Sequence, residues 1–234
     1  MNTRDNHAGT LPDGPRVIIA CRVMQPEIDA LVGGRSGIDV RYLEQRLHDT
    51  PRRMPGLIQE QIDAVQSFAV QIVLGYGLCS NGIVGLKAPP QGLIIPRAHD
   101  CITFFLGSHE AYEKHFHDKP GTFFLTPGWV AEGKDPLTYM RTTYVPRMGE
   151  QMAVWGVKEA FKNYTHITLI NNGMDDMTAL RRIARANARF LDKQYEEIRT
   201  RPDFFRQIVF GPYPSEAFIH LKGGQTVAQE MILQ

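Results

Sequence analysis

The sequence predicts an α/β fold: a mostly parallel, doubly wound sheet with flanking helices, Rossmann-like in its winding. Three observations predict it. Short apolar runs rich in β-branched residues recur along the chain, as expected of strands buried on both faces. Amphipathic stretches with a period near 3.6 residues lie between several of them. Glycine- and proline-rich turn signals separate the two kinds of segment.

The elements follow in order. Residues 1–15, MNTRDNHAGTLPDGP, form a polar leader, and residues 16–234 read as a single α/β domain with room for a subdomain from about residue 121. RVIIAC (16–21) is a buried strand, and Pro26 opens a helix that the pair Gly33-Gly34 stops. IDVRYLE (38–44) alternates and reads as a more exposed strand. Pro55 starts a helix carrying Leu57, Ile58, Ile62, Val65 and Phe68 on one face. QIVLGYGLC (71–79) and GLIIPRAHDC (92–101) are the next strands, and Ser108 caps a helix over 108–116. Later come a strand in GTFFLTPGW (121–129), an amphipathic helix over 148–164 and a strand in HITLINNG (166–173). A long helix capped by Asp175 or Asp176 is expected to run through QYEEI, and two short strands are expected about the Gly-Pro turn in QIVFGPYPSEAFIHL.

Composition narrows the function. The chain has 234 residues, 43% hydrophobic and 22% charged, with a formal net charge of +1. That balance and the lack of a dense Lys/Arg cluster argue against a nucleic-acid partner. The leader lacks the apolar stretch of a signal peptide and no run of 18 apolar residues occurs, so the expectation is a cytoplasmic protein without a membrane partner. A homo-oligomer is left open.

The three cysteines carry the chemistry. Cys21, Cys79 and Cys101 make an odd count, which does not suit a disulfide framework. Each falls at the C-terminal end of a predicted strand. In an open parallel sheet those ends share one edge, and ligands sit in the crevice outside it. With neighbouring strands about 4.8 Å apart, three thiols there could converge on one ion or cluster. We weigh that constellation above scattered core cysteines, although no CxxC spacing reinforces it.

Neighbouring residues suit such a site. In GYGLCSNG, Gly75, Gly77 and Gly82 let the main chain approach a bound group, with Asn81 in the same cofactor-binding loop. His99 and Asp100 precede the third thiol and offer a fourth ligand, an orienting hydrogen bond or a general base. Tyr76 and Arg97 are candidate substrate contacts, and His48 in RLHDTP is a further catalytic candidate. His115 and His117 face opposite sides of their helix, so they make no joint metal site. Trp129 is expected to pack or to lid the crevice.

IIAC, LHDTP, GYGLCSNG, IPRAHDCITFFLGS with the following aromatic Tyr112, PGTFFLTPGW and NYTHITLINNG together resemble the family grouped as domain of unknown function 1638, over residues 16 to about 200. Its members often sit beside genes for corrinoid-dependent methyltransferases, so the resemblance implies one-carbon metabolism. A thiolate-ligated zinc ion with one open position would then act on a small methylated or thiol compound, by methyl transfer, demethylation or hydrolysis. A 4Fe–4S iron–sulfur cluster with one open iron is the alternative centre. The alternative function is a non-catalytic accessory: a metal or corrinoid carrier, or an assembly factor whose partner is a methyltransferase protein. A redox-sensing thiol protein is the third reading.

Overall fold

The computed structural model describes residues 14–173 and 176–232. The leader before residue 14, and Asp175 as a helix cap, lie outside the described residues. Among the described residues the strands are β1 (Arg16–Cys21), β2 (Ile38–Leu43), β3 (Gln71–Gly75), β4 (Leu93–Pro96), β5 (Thr122–Leu125), β6 (His166–Asn171), β7 (Gln194–Arg199) and β8 (Phe218–Leu221). The chain forms two compact units. One comprises the chain through Cys21, Ile28–Cys101 and the chain from Asp203; the other comprises Arg22–Glu27 and Ile102–Pro202.

The first unit is built on a five-stranded sheet of order β2-β1-β3-β4-β8. β1 pairs in parallel with β2 and β3, β3 pairs in parallel with β4, and β8 closes the far edge antiparallel to β4. RVIIA, QIVLG and LIIP therefore share one mostly parallel sheet, as the apolar runs predict. Val17, Ile18, Ile19 and Ala20 are fully buried, which is why β1 tolerates no polar alternation. The helix Met54–Val65 buries Met54, Ile58, Ile62 and Val65, a stripe at helical spacing. Phe68 lies beyond that helix and is exposed, so the expected apolar face ends one turn earlier.

The second unit holds a parallel sheet of order β5-β6-β7. Leu125, Ile167 and Leu169 pack with Ala184, Ala188 and Leu191 of the helix Met177–Leu191. Asp176 caps that helix, its carboxylate accepting from the Thr178 amide at 2.9 Å. The helix stops at Leu191, where Asp192 turns left-handed, and QYEEIR becomes β7. Tyr195 and Ile198, three residues apart, mimic a continued helical face, but pairing with β6 over six residues fixes the segment as a strand. The tail departs from expectation for the converse reason. Phe204, Phe205, Ile208 and Val209 form the buried face of a helix over Asp203–Phe210, so only β8 remains of the two strands expected there.

Glu197 on β7 collects several donors. Arg181 donates from Nε and Nη2 at 2.8 Å each, Asn171 Nδ2 donates at 2.8 Å and the Tyr195 hydroxyl at 3.1 Å. The Arg181 hydrogen bond above all holds the Glu197 carboxyl down at about 2. His115 bonds Thr122 Oγ1 at 3.2 Å through Nε2, whereas His117 is solvent-exposed beside Asp118, so the two rings diverge. Trp129 packs at the rim of the second unit's core.

Candidate metal centre

β2, β1, β3 and β4 run parallel, so their C-terminal ends form one edge of the first unit's sheet. Cys21 is the last residue of β1 and pairs in register with Leu43, the last residue of β2. Ala20 pairs with Gly75, the last residue of β3, which sets Tyr76 at the level of Cys21. Cys79 follows on the loop after β3, and His99, Asp100 and Cys101 follow β4. All three cysteines are free thiols and buried, with 1%, 5% and 4% exposure for Cys21, Cys79 and Cys101.

The loops after β3 and β4 are zipped together by main-chain hydrogen bonds. The Leu78 amide donates to the Ala98 carbonyl at 2.8 Å and the Cys79 amide to the His99 carbonyl at 2.9 Å. Gly77 makes this possible. A Cβ there would lie 2.8 Å from the Ala98 oxygen and from the Asp100 nitrogen and Cα, inside any real contact distance. At Gly82 a Cβ would meet the flexible end of the Met54 side chain, Sδ at 2.2 Å, and the Cys79 carbonyl oxygen at 3.1 Å. Gly77 thus brings chain against chain beside the thiols.

Between them the backbone takes an unusual course. Cys79, Ser80 and Asn81 all have positive φ, at 46°, 58° and 65°. For residues with a Cβ each such conformation costs about 1–2 kcal/mol, Asn least, and a run of three is rare outside functional loops. This left-handed passage turns the Cys79 side chain inward while Ser80 and Asn81 stay exposed.

The thiols feel one another. Burial pushes the Cys79 thiol up to about 12, with the charges of Asp100 and Cys21 adding to the shift. Main-chain N–H groups of Cys101 and Gly77 donate to its sulfur and oppose that rise. Burial likewise pushes Cys101 well up, with Cys79, Asp100 and Cys21 contributing. Tyr76 sits among all three. It is 1% exposed, and its phenol is pushed well up by burial first and then by Cys21, Cys79 and Cys101. Among the described residues its hydroxyl has no hydrogen-bond partner.

His48 follows β2 on the same sheet edge. Its Nδ1 lies 2.9 Å from the Gln45 carbonyl, which only accepts, so Nδ1 carries the proton. Nε2 is buried and without a hydrogen-bond partner among the described residues. Arg97 is committed elsewhere, donating from Nε to the Ser215 carbonyl at 3.0 Å and from Nη1 to the Met231 carbonyl. It ties the C-terminal segment to β4. Cys21, Tyr76, Cys79, Asp100 and Cys101 are thus brought into one electrostatic cluster, His48 and His99 flank the same edge, and Arg97 serves the fold. Sequence reasoning missed the left-handed run and the Gln45 carbonyl that sets the His48 tautomer; Ser-Asn-Gly after Cys79 was the available signal for the first.

The donor set suits a thiophilic metal. Three thiols and a carboxylate are ligand types that zinc and iron–sulfur centres use. The three sulfurs do not all lie within 4.8 Å of one another. A single ion with bonds near 2.3 Å would hold them about 3.8 Å apart, so the cluster as it stands is wider than one tetrahedral ion requires.

A family profile described as "Protein of unknown function (DUF1638)" matches residues 42–209, most of the chain. The chain belongs to this family. The matched span takes in His48, GYGLCSNG and AHDC, while Cys21 precedes it. No curated protein and no solved structure matches the chain. Among the described residues of this DUF1638 protein, no helix is long and apolar enough to cross a membrane.

Proposed function

We infer that this DUF1638 protein is a metal-dependent enzyme that activates a small methylated or thiol compound at a centre held by Cys21, Cys79 and Cys101. The observation that carries the reading is the placement of three buried, electrostatically coupled thiols, with an unpartnered phenol among them, at the C-terminal edge of one mostly parallel sheet. Metal bound there would supply a Lewis acid with an open position, suited to making a thiol or water nucleophilic. The three thiols would bind as thiolates, giving up protons that burial otherwise holds on them. Asp100 and His99 would orient ligands or move a proton from the loop beside Cys101, and His48 Nε2 offers a base or a further ligand. Zinc is the metal we propose, with a 4Fe–4S cluster as the alternative, and a lone zinc ion would require the side chains to turn inward. Burial of the thiols and the carboxylate beside them favour a catalyst over a carrier, whose site would be exposed. Methyl transfer or demethylation in one-carbon metabolism, beside a corrinoid-dependent methyltransferase, is the setting we propose, with the cytoplasm as its compartment.

Anaerobic purification, metal analysis and the absorption spectrum test this reading. The wild type should carry zinc or iron in stoichiometric amount, and any one of Cys21→Ser, Cys79→Ser or Cys101→Ser should lower it sharply. Protein that folds but carries no metal, whatever is supplied, would sink the proposal.

A further inference from the structure

β2 is an outer strand of the first unit's sheet. The Arg16 amide donates to the Gly37 carbonyl at 2.9 Å, which fixes the phase of the β1–β2 ladder. Main-chain groups alternate sides along a strand, so Asp39 and Arg41 turn theirs to β1 while Ile38 and Val40 turn theirs outward. Among the described residues no strand pairs with that outward side. A six-residue edge of this kind is a template for another strand, and proteins that keep such an edge free blunt it with proline, a bulge or lysine. IDVRYL carries neither proline nor lysine, pairs with β1 without interruption, and is half-buried along its whole length. Its two charges lie on one face, where Arg41 Nε donates to Asp39 Oδ2 at 3.1 Å and the side chains are 37% and 43% exposed.

These charges say which strand fits. Outward-turned residues must meet outward-turned residues, so an antiparallel copy of β2 has few registers open to it. With Val40 opposite Val40 of the partner subunit, Asp39 of each protomer falls opposite Arg41 of the partner subunit. Those are positions without main-chain hydrogen bonds, where opposed Cα atoms stand about 4.5 Å apart and side chains meet on one face. The nearest slips that keep the main-chain phase set Asp39 against Asp39 or Arg41 against Arg41, and like charges directly opposite destabilise a sheet. One register satisfies backbone and charge together.

We propose that the outer side of β2 docks a second copy of this chain, joining the two sheets edge to edge about a two-fold axis at Val40. The two Val40 residues exchange main-chain hydrogen bonds, and two Asp39–Arg41 ion pairs set the register. Ile38 then stands opposite Tyr42 of the partner subunit. The pairing does not depend on metal at the thiols.

The test is sedimentation velocity of the full chain over the micromolar range, under reductant. Wild type should sediment as a dimer. Asp39→Arg and Arg41→Asp each turn both ion pairs into like-charge pairs, so each variant alone should dimerise at least about ten-fold more weakly. Mixed in equal amounts the two variants should recover a dimer, because both opposed pairs are again of opposite sign. Val40→Pro removes an N–H that β1 does not use, so it should keep the fold by circular dichroism and abolish the dimer. A monomeric wild type, a dimer that persists in either single-charge variant or in Val40→Pro, or a mixture that stays monomeric overturns the proposal. Failure of all three variants to fold overturns it too, since the outer side of β2 would then be needed within one chain.

Discussion

The thiol cluster should make the stability of the metal-free protein fall as pH rises, by an amount the structure sets. The Cys79 thiol is pushed up to about 12 from 9.0, by burial first and then by the Asp100 and Cys21 charges. Below pH 9 folded and unfolded chains both keep that proton, and the stability it confers is fully present. Between 9 and 12 the unfolded chain has released it and the folded chain has not, which favours unfolding by about 1.4 kcal/mol per pH unit. Over the whole window Cys79 alone accounts for about 4 kcal/mol, a large part of the roughly 5–15 kcal/mol that holds a domain folded. Cys101 is shifted in the same direction by the same causes, so two thiols act together. The measurement is denaturant unfolding at pH 8, 9 and 10, anaerobically with chelator and reductant, on wild type and on a Cys79→Ala/Cys101→Ala variant. Wild type should lose about 2–3 kcal/mol more than the variant between pH 8 and 10. The same pH dependence in both proteins would refute the burial and coupling of these thiols.

Gly77→Ala should destabilise the protein by about 1–3 kcal/mol in denaturant unfolding and lower its metal-to-protein ratio, because the new methyl would force the Cys79 loop off Asp100; an unaffected metal ratio would separate that loop from the site. His99→Ala should impair metal retention or activity far more than His117→Ala, whose ring is solvent-exposed, and equal losses would count against a site role for His99. Glu197→Gln should lower the melting temperature at pH 7 but bring it close to level with wild type only at about pH 2 or below. The Glu197 carboxyl is held at about 2 from 4.5, so its contribution is present above pH 4.5 and disappears as pH falls through 2. A constant gap between the two proteins from pH 7 to 3 would remove Glu197 as the cause.

The sheet of the first unit was legible because β1, β3 and β4 are buried on both faces, and an apolar run such as RVIIA has few other uses. Cys21 at the end of β1 was legible for the same reason, whereas Cys79 and Cys101, also expected at strand ends, lie in the loops four and five residues beyond β3 and β4. Two elements were misread where apolar spacing fits both periods: QYEEIR continues the preceding helical face yet pairs as β7, and FFRQIVF is rich in strand formers yet packs as a helix. Tertiary pairing decides such cases, and local sequence does not contain it. The Arg97 partners Ser215 and Met231 lie more than a hundred residues away in the chain, so these bonds could not be read from the local sequence. The His48 tautomer depends on a main-chain carbonyl, and the isolation of the Tyr76 hydroxyl depends on every neighbour at once. Neither is written in residue types.

Three thiols on one edge also suit a redox sensor, and their accessibility separates that reading from a metal centre. A sensing cysteine needs thiolate at neutral pH and an open path to oxidant, which low-pKa, exposed positions provide. Cys21, Cys79 and Cys101 are all at least 95% buried, since none exceeds 5% exposure. With its thiol pushed to about 12, Cys79 has about a thousandth of the thiolate that an ordinary thiol near 9.0 has at pH 7.5. A sulfur held this way is a poor nucleophile. It becomes a thiolate when a cation supplies the charge that the buried surroundings lack, which is what metal ligation does. Iodoacetamide should therefore label the native, metal-free protein at least about a thousand-fold more slowly than the same protein in denaturant at the same pH. Mass spectrometry of timed samples gives the rate for each cysteine separately. Labelling of native Cys79 at the denatured rate would show an accessible, ordinarily ionising thiol, and the redox reading would then displace the metal centre.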